Sequence, residues 1–331
     1  MKNILLVGGA GYIGSVTTQC LLNKGFRVTV LDNFIYGNNT SVLNFLDEEN
    51  YTFVYGDMRD DKICKAALRD KDIVIILGGL VGDPITKKYP ELSKDINVDG
   101  VLNFINKVDN FNIQKLIFVS TCSNYGLLPE GVIADEQTPL KPLSSYAQAK
   151  VLIEEKILAK SKFWDLSATI LRFATAFGLS PRMRFDLTVN EFTYEAWLGN
   201  GLEVYDPDTW RPYCHVLDFV RMFETIINTD QSNVRGKVFN VGTDDNNFTK
   251  RMIVELIRNE LPDFNYSLKL HGSDPRNYKV NFSRVKTELN FEPKHSVSFG
   301  IKTILSACRQ NVFSGVNNNK NNFGNYFIDG F

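Results

Sequence analysis

Apolar residues along this chain come in short unbroken runs, separated by segments where they recur with helical spacing. Runs at Asn3–Val7, Arg27–Leu31, Thr52–Tyr55, Asp72–Leu77, Lys115–Ser120 and Ser167–Leu171 predict strands. Helical spacing fills the stretches between them at Tyr12–Asn23, Asp60–Arg69 and Ser145–Lys162, and a further helix is expected over residues 97–108. Ile73-Val74-Ile75-Ile76-Leu77 shows no polar alternation, which suits a strand covered by helices on both faces. The repeated strand–helix order predicts an α/β fold built on a doubly wound parallel sheet.

The alternation stops near residue 178. Ser180-Pro181, Asp206-Pro207-Asp208 and Arg211-Pro212 break the pattern before a helix expected at Leu217–Asn228. Val238-Phe239-Asn240-Val241 then reads as a buried strand returning to the first sheet, and another helix is expected near Lys250–Leu261. A length of 331 residues suggests about two domains. The pattern divides them into interleaved lobes: residues 1–178 with 213–245, and a smaller C-terminal α/β substrate lobe of 179–212 and 246–316. Residues 317–331 form a tail whose asparagine-rich start, 317–322, reads as a mobile linker.

Composition narrows the function classes. Thirty-seven Lys and Arg against 38 Asp and Glu leave a net charge of −1, unlike the basic excess of a nucleic-acid binder. The most apolar stretch, Ile73 to Gly82, has ten residues and three glycines, too short for a membrane span. Cys20, Cys64, Cys122, Cys214 and Cys308 are odd in number and widely spaced, which argues against a disulfide framework or a cysteine zinc site. His215, His271 and His295 are equally scattered, so no metal is expected. The N-terminal apolar run is broken by Gly8 and Gly9, too soon for a signal peptide, and a cytoplasmic, soluble, reduced protein is expected.

The first strand runs into Gly8-Gly9-Ala10-Gly11-Tyr12-Ile13-Gly14, which holds both a GxxGxxG and a GxGxxG register. Such a loop turns tightly and lets backbone approach a pyrophosphate at the start of a helix, the dinucleotide geometry of a Rossmann-type sheet. Asp32 ends the next strand, where a carboxylate accepts from both adenosine ribose hydroxyls and repels a 2′-phosphate. Asn33 follows with no Arg behind it, so the cofactor is expected to be NAD and not NADP. Asp57, in Gly56-Asp57-Met58-Arg59-Asp60, either reaches the adenine or caps the helix that follows.

Tyr146 and Lys150 stand four residues apart on an expected helix and so share a face. A free tyrosine, with a pKa near ~10, is a poor base at neutral pH. The lysine cation and a positively charged nicotinamide would favour its phenolate. Ser120-Thr121-Cys122-Ser123-Asn124-Tyr125-Gly126 ends the fifth strand, on the edge where doubly wound sheets bind ligands.

Together, Gly8-x-x-Gly11-x-x-Gly14, Asp32, the Ser-Thr-x-x-x-Tyr-Gly segment and Tyr146-x-x-x-Lys150 resemble an extended short-chain dehydrogenase/reductase. More narrowly, the chain is similar to the NAD-dependent epimerase/dehydratase family acting on nucleotide sugars. The likeness extends to about residue 310 and includes Leu171-Arg172 through Phe177-Gly178 and Arg211 through Val216. It implies Tyr146 as catalytic base, Lys150 as its partner and ribose ligand, and Thr121 as the group that bonds the sugar hydroxyl. Tyr12, Ile13, Asn33, Met58 and Leu77-Gly78-Gly79 would join the glycines, Asp32 and Asp57 around the cofactor. Thr121, Cys122, Ser123, Thr175, Arg182, Arg184, Arg211 and Arg276 would face a nucleoside-diphosphate sugar, the arginines as a local cationic excess clamping its diphosphate.

The resemblance implies hydride transfer at C4, giving either an epimerase or, with net redox change, a 4-dehydrogenase or ketoreductase. The 4,6-dehydratase branch places Asp-Glu directly after the threonine; Cys122 and Ser123 stand there, which argues against dehydration. Cys122 reads as a small buried residue. A cofactor-binding scaffold without chemistry is disfavoured by the complete Thr121, Tyr146 and Lys150 set. A homodimer is expected through the helices at 97–108 and 145–162.

Overall fold

Seven parallel strands form the centre of the molecule in this computed structural model, which describes residues 1–270, 272, 274–316 and 320–328. They are β1 (Asn3–Val7), β2 (Arg27–Asp32), β3 (Tyr51–Tyr55), β4 (Ile73–Ile76), β5 (Lys115–Thr121), β6 (Ser167–Phe173) and β7 (Lys237–Val241). Their spatial order is β7-β6-β5-β4-β1-β2-β3. Val7 lies opposite Leu31 on one side and Ile76 on the other, so β1 and β4 mark the point where the winding reverses. A doubly wound sheet opens a crevice there, at the carboxyl ends of its strands.

The uninterrupted apolar runs divide between two cores. Ile4, Leu6, Val28, Val30, Ile73, Ile75 and Ile117 face one side. Leu5, Val7, Leu31, Val74, Ile76, Leu116 and Phe118 face the other. Alternate side chains point to opposite faces, so a strand buried on both sides needs apolar residues at every position. Each fully buried aliphatic side chain contributes about 1.5–3 kcal/mol. Helices α1 (Tyr12–Asn23), α2 (Asp61–Leu68), α3 (Val101–Val108) and α4 (Ser145–Ser161) flank this sheet, together with α6 (Val216–Asn228), which follows α5 (Thr188–Leu198). Asp60 caps α2 by accepting from the Lys62 and Ile63 N–H groups, which leaves Asp57 free of that task.

The remaining elements are smaller. Thr175–Phe177 runs parallel to Trp210–His215, which pairs antiparallel with Asn247–Thr249. Around Phe177 and Tyr213, helices α5, α7 (Lys250–Arg258) and α8 (Val297–Arg309) bury Val189, Ile253, Ile257 and Ile301.

Two local expectations change. The helix expected over 97–108 begins as a π-helical turn, Asp95–Gly100, before α3. That wider turn serves Asn97, which accepts from the Leu80 N–H (2.7 Å) and donates to the Leu80 carbonyl (2.9 Å). The tail is the second correction. Of residues 317–322, read as a mobile linker, 317–319 lie outside the described residues, and Lys320–Phe323 forms a 3₁₀ turn. Phe185 N–H donates to the Phe323 carbonyl at 2.7 Å, and Asn325 Nδ2 donates to the Val81 carbonyl at 3.1 Å. Ile328 is buried in the core that faces α2 to α4. Apolar anchoring at Phe323 and Ile328 outweighs the polar composition around them.

Candidate active site

A cleft of about 370 Å³ opens at the carboxyl ends of β1, β2, β4 and β5. The glycine loop forms one wall. Gly8 has φ +79°, and a Cβ there would meet Gly78 Cα at 2.4 Å. A Cβ on Gly14 would meet the Gly9 backbone at 2.5 Å, and one on Gly9 would strike Val30 at 2.7 Å. Gly8, Gly11 and Gly14 line the cleft while Gly9 does not, so the GxxGxxG register is the one that faces the ligand.

Gly11 differs from its neighbours. A Cβ there would approach nothing nearer than the Gly8 carbonyl at 3.4 Å, so internal packing does not demand glycine. Gly11 is the N-cap of α1 and offers no side chain, which leaves the N–H groups of the first turn for an anion.

Asp32 accepts from the Ala10 N–H (3.0 Å) and the Phe34 N–H (2.9 Å). Burial raises its pKa above the usual carboxylate range, against those hydrogen bonds and the charge of Arg182. Asn33 donates to Asp57 at 2.8 Å. Burial works to raise the Asp57 carboxyl, but the Arg59 side chain and backbone hold it below its ordinary value. Tyr12, Ile13, Met58, Leu77, Gly78 and Gly79 complete this wall.

The floor comes from the end of β5 and the start of α4. Ser144 caps α4 by accepting from the Ala147 N–H, and the first turn carries Tyr146 into the cleft. Burial raises the Tyr146 phenol well above its usual pKa; Arg184 and Arg276 pull it down and Asp83 pushes it up. Thr121 Oγ1 shares a 2.7 Å hydrogen bond with Ser123 Oγ and accepts from the Ser123 N–H. Beneath them, Glu154 on α4 accepts from the Ser120 hydroxyl, from Asn124 (2.8 Å) and from Arg172 on β6 (2.6 Å). This buried pair anchors the ends of β5 and β6 to α4.

The other wall carries the arginines. Arg184 pairs with Asp186 at 2.6 Å. Arg211 pairs with Asp274 at 3.0 Å, donates to the Arg276 carbonyl and lies over the Tyr278 ring, 5.1 Å from its centroid. Arg276 pairs with both Asp274 (2.8 Å) and Asp83 (3.1 Å). Arg182 and Thr175 also line the cleft.

Two expected site residues fall outside the lining. The Cys122 side chain is core: its thiol donates to the Arg172 carbonyl at 3.1 Å, and burial pushes its pKa well up. It cannot be a substrate contact in this arrangement, because the turn at Cys122–Tyr125 aims it inward. Lys150 stands behind the wall, its ammonium donating to the Val119 carbonyl at 2.8 Å and lying 5.8 Å from the Tyr146 ring centroid. Burial pushes its pKa down to about 8, with Glu154 one helical turn away opposing. The geometry therefore gives Lys150 no direct contact with the cleft.

Sequence reasoning missed Asp83, Asp186, Asp274, Tyr36, Tyr278, Lys250 and Asn325, all of which line the cleft. The two-residue spacing of Arg184 with Asp186, and of Asp274 with Arg276, was a readable signal for two of them. Asp83 and Asn325 carry none. The expected local excess of arginine is also corrected. Arg182, Arg184, Arg211, Arg276 and Lys250 line the cleft together with Asp32, Asp57, Asp83, Asp186 and Asp274, so cations and carboxylates balance.

The residues present fit a dinucleotide. The uncapped N-terminus of α1, the open space at Gly11 and the Asp32 carboxylate at the cleft lie where a diphosphate and a ribose would need them. Comparison with known proteins agrees. A UDP-glucose 4-epimerase from Rhizobium leguminosarum bv. trifolii is 28% identical over 326 residues, covering 90% of this chain and 94% of its own. A UDP-glucose 4-epimerase from Thermotoga maritima, solved with UDP-glucose, is 25% identical with a TM-score of 0.82, covering 94% of this chain and 99% of its own. A dTDP-glucose 4,6-dehydratase from Streptomyces venezuelae, solved with NAD, shares the fold at a TM-score of 0.84 and 22% identity, covering 94% and 98%. Residues 4–242 match the model of the NAD dependent epimerase/dehydratase family, and the chain belongs to that family of enzymes.

Proposed function

We propose that this protein is a C4 epimerase of a nucleoside-diphosphate sugar, acting through a 4-keto intermediate in the cytoplasm as a homodimer. The UDP-glucose 4-epimerases to which it is similar support this reading. A dehydratase superposes as well as an epimerase does, so the fold leaves the reaction open. The observation that carries the proposal is the chemistry beside Thr121. Eliminating water needs an acid–base pair there. Cys122 is turned into the core, and Ser123 is bonded to Thr121. Four of the five lining carboxylates accept hydrogen bonds from within the protein, Asp186 and Asp274 from arginines, Asp57 from Arg59 and Asn33, and Asp32 from backbone N–H groups, while Asp83 is held in an ion pair with Arg276.

NAD supplies the hydride acceptor at C4 and, once reduced, the donor that returns it. Tyr146 takes the O4 proton as the carbonyl forms and gives it back when the hydride returns to the opposite face. Arg184 and Arg276 work against the burial that raises the phenol without outweighing it, and the charge of a bound nicotinamide would act in the same direction as the arginines. Thr121 and Ser123 are a hydroxyl pair able to donate to the sugar oxygen. Residues 1–178 with 213–245 supply the glycine loop, Asp32 and the catalytic groups, and 179–212 with 246–316 supply Arg184, Arg211 and Arg276 for the sugar nucleotide.

The test incubates the NAD-loaded protein with a panel of UDP, dTDP and GDP sugars and reads products by mass spectrometry and NMR. An unchanged mass with inverted C4 stereochemistry is expected. Tyr146→Phe should lower kcat about 10²–10⁴-fold without changing NAD affinity. Loss of two hydrogens with stoichiometric NADH would make the enzyme a 4-dehydrogenase, and loss of water would make it a dehydratase. No turnover of any sugar nucleotide by the wild type would overturn the proposal.

A further inference from the structure

Four arginines are buried among the described residues: Arg172, Arg182, Arg184 and Arg211. Three close ion pairs, with Glu154, Asp186 and Asp274 respectively. Arg182 is only 3% exposed and closes none among the described residues. One nitrogen, Nη2, donates to the Gly324 carbonyl at 2.8 Å and the Asn321 carbonyl at 3.4 Å. The other, Nη1, has no acceptor among the described residues. Burial lowers the Arg182 pKa to about 10, which still leaves a full positive charge at neutral pH. A buried cation held only by neutral carbonyls is costly unless an anion joins it.

The position of Arg182 identifies which anion. Ser180 donates to the Tyr12 carbonyl at 2.7 Å and shares a 3.0 Å hydrogen bond with Ser15, and the Arg182 N–H donates back to Ser180. Tyr12 and Ser15 belong to the first turn of α1, so this segment is pinned over the uncapped helix start. The guanidinium lies 5.3 Å from the centroid of Tyr36, on the loop that leaves Asp32. The neighbouring Arg184 is neutralised by Asp186 and stands closer to Tyr146 in its effect.

We propose that Arg182, supplied by the second lobe and oriented by the tail carbonyls, is the cationic partner of the cofactor's diphosphate and not of the sugar nucleotide. The assignment rests on the NAD-dependent reading above. It makes cofactor retention depend on a segment far from the glycine loop in sequence.

The test measures NAD⁺ binding to cofactor-free protein by calorimetry, with adenosine as a probe lacking phosphate. UDP binding to the NAD-loaded protein probes the substrate site. Arg182→Gln should weaken NAD⁺ about tenfold or more, as expected for a lost charged hydrogen bond, while adenosine and UDP affinities stay unchanged. Arg182→Lys, which keeps the charge, should fall between, and circular dichroism with thermal melting checks folding. If Arg182→Gln does not fold, Arg182→Lys decides alone through a weaker NAD⁺ affinity with unchanged UDP affinity. Equal NAD⁺ affinity in wild type and variants overturns the inference and leaves the epimerase reading intact. A loss confined to UDP would return Arg182 to the substrate. A wild type that binds no NAD⁺ overturns both.

Discussion

On the β1–β2 side of the cleft, Gly8, Gly11 and Gly14 present bare backbone and an uncapped helix start. On the opposite side, Arg184, Arg211 and Arg276 arrive already paired with Asp186, Asp274 and Asp83. The first wall is shaped by steric exclusion within a few consecutive residues. The second is assembled from charges far apart in the chain and neutral before any ligand enters. Its arginines are held in fixed orientations, and a diphosphate must share them with, or take them from, carboxylates. Such a wall favours selectivity over raw affinity, because an exchange of partners gains less than capture of an unpaired charge. Arg182 stands at the junction of the walls and, among the described residues, is the one buried arginine that closes no ion pair.

The largest expected effect comes from the floor that both walls share. Glu154→Ala leaves Arg172 buried without its partner and should cost about 3–5 kcal/mol in urea unfolding. Because Glu154 ties β5 and β6 to α4, NAD⁺ and UDP affinities should fall together; loss of only one would show that the walls are independent.

The glycine wall is sharpened by comparing two substitutions. Gly8→Ala, forced into φ +79° with a Cβ 2.4 Å from Gly78, should cost about 1–3 kcal/mol of stability. Gly11→Ala should melt like the wild type yet bind NAD⁺ more weakly, measured by the same calorimetry. A Gly11→Ala protein with full affinity would remove the cradle from the cofactor reading.

The smallest effect tests the arginine wall. Asp274→Asn removes the carboxylate partner of Arg211 and leaves Arg276 paired with Asp83 alone, and the KM for the sugar nucleotide should fall about threefold to tenfold with little change in kcat. The pH dependence follows from the same group. Burial works to raise the Asp274 carboxyl, but Arg276 and Arg211 hold it well below the usual range. Its stabilising contribution is therefore full above the unfolded carboxylate value of about pH 4, and fades as pH falls toward the depressed folded value. Unfolding followed across acid pH should show that slope in the wild type and a shallower one in Asp274→Asn.

Part of this protein was legible from local pattern. The run Ile73 to Leu77 announced a strand buried on both faces, and the glycine spacing with Asp32 announced a dinucleotide loop, because both are set by neighbours in sequence. The edges of strands were less legible. β5 reaches Thr121 and β6 reaches Phe173 because Ser120 pairs with Arg172 and Thr121 with Phe173 in the ladder. Polar residues there look like loop until a partner strand satisfies their backbone. The tail misled by composition, since asparagines outnumber the two apolar anchors that hold it.

By itself the sequence determined the strand–helix alternation, the chemical types at Tyr146, Thr121 and Asp32, and a cofactor loop whose turn needs glycine at Gly8, Gly9 and Gly14. Those depend on periodicity and on steric limits within a few residues. The tertiary structure alone decided that Cys122 faces the core, that Lys150 stands behind the cleft wall, and that three cleft arginines are paired while Arg182 closes no ion pair among the described residues. Charge pairing and side-chain direction depend on residues such as Asp83 and Gly324, which reach the site from remote parts of the chain. Net charge, near zero for the whole chain, is also balanced inside the cleft; what differs is which of its cations close no ion pair among the described residues.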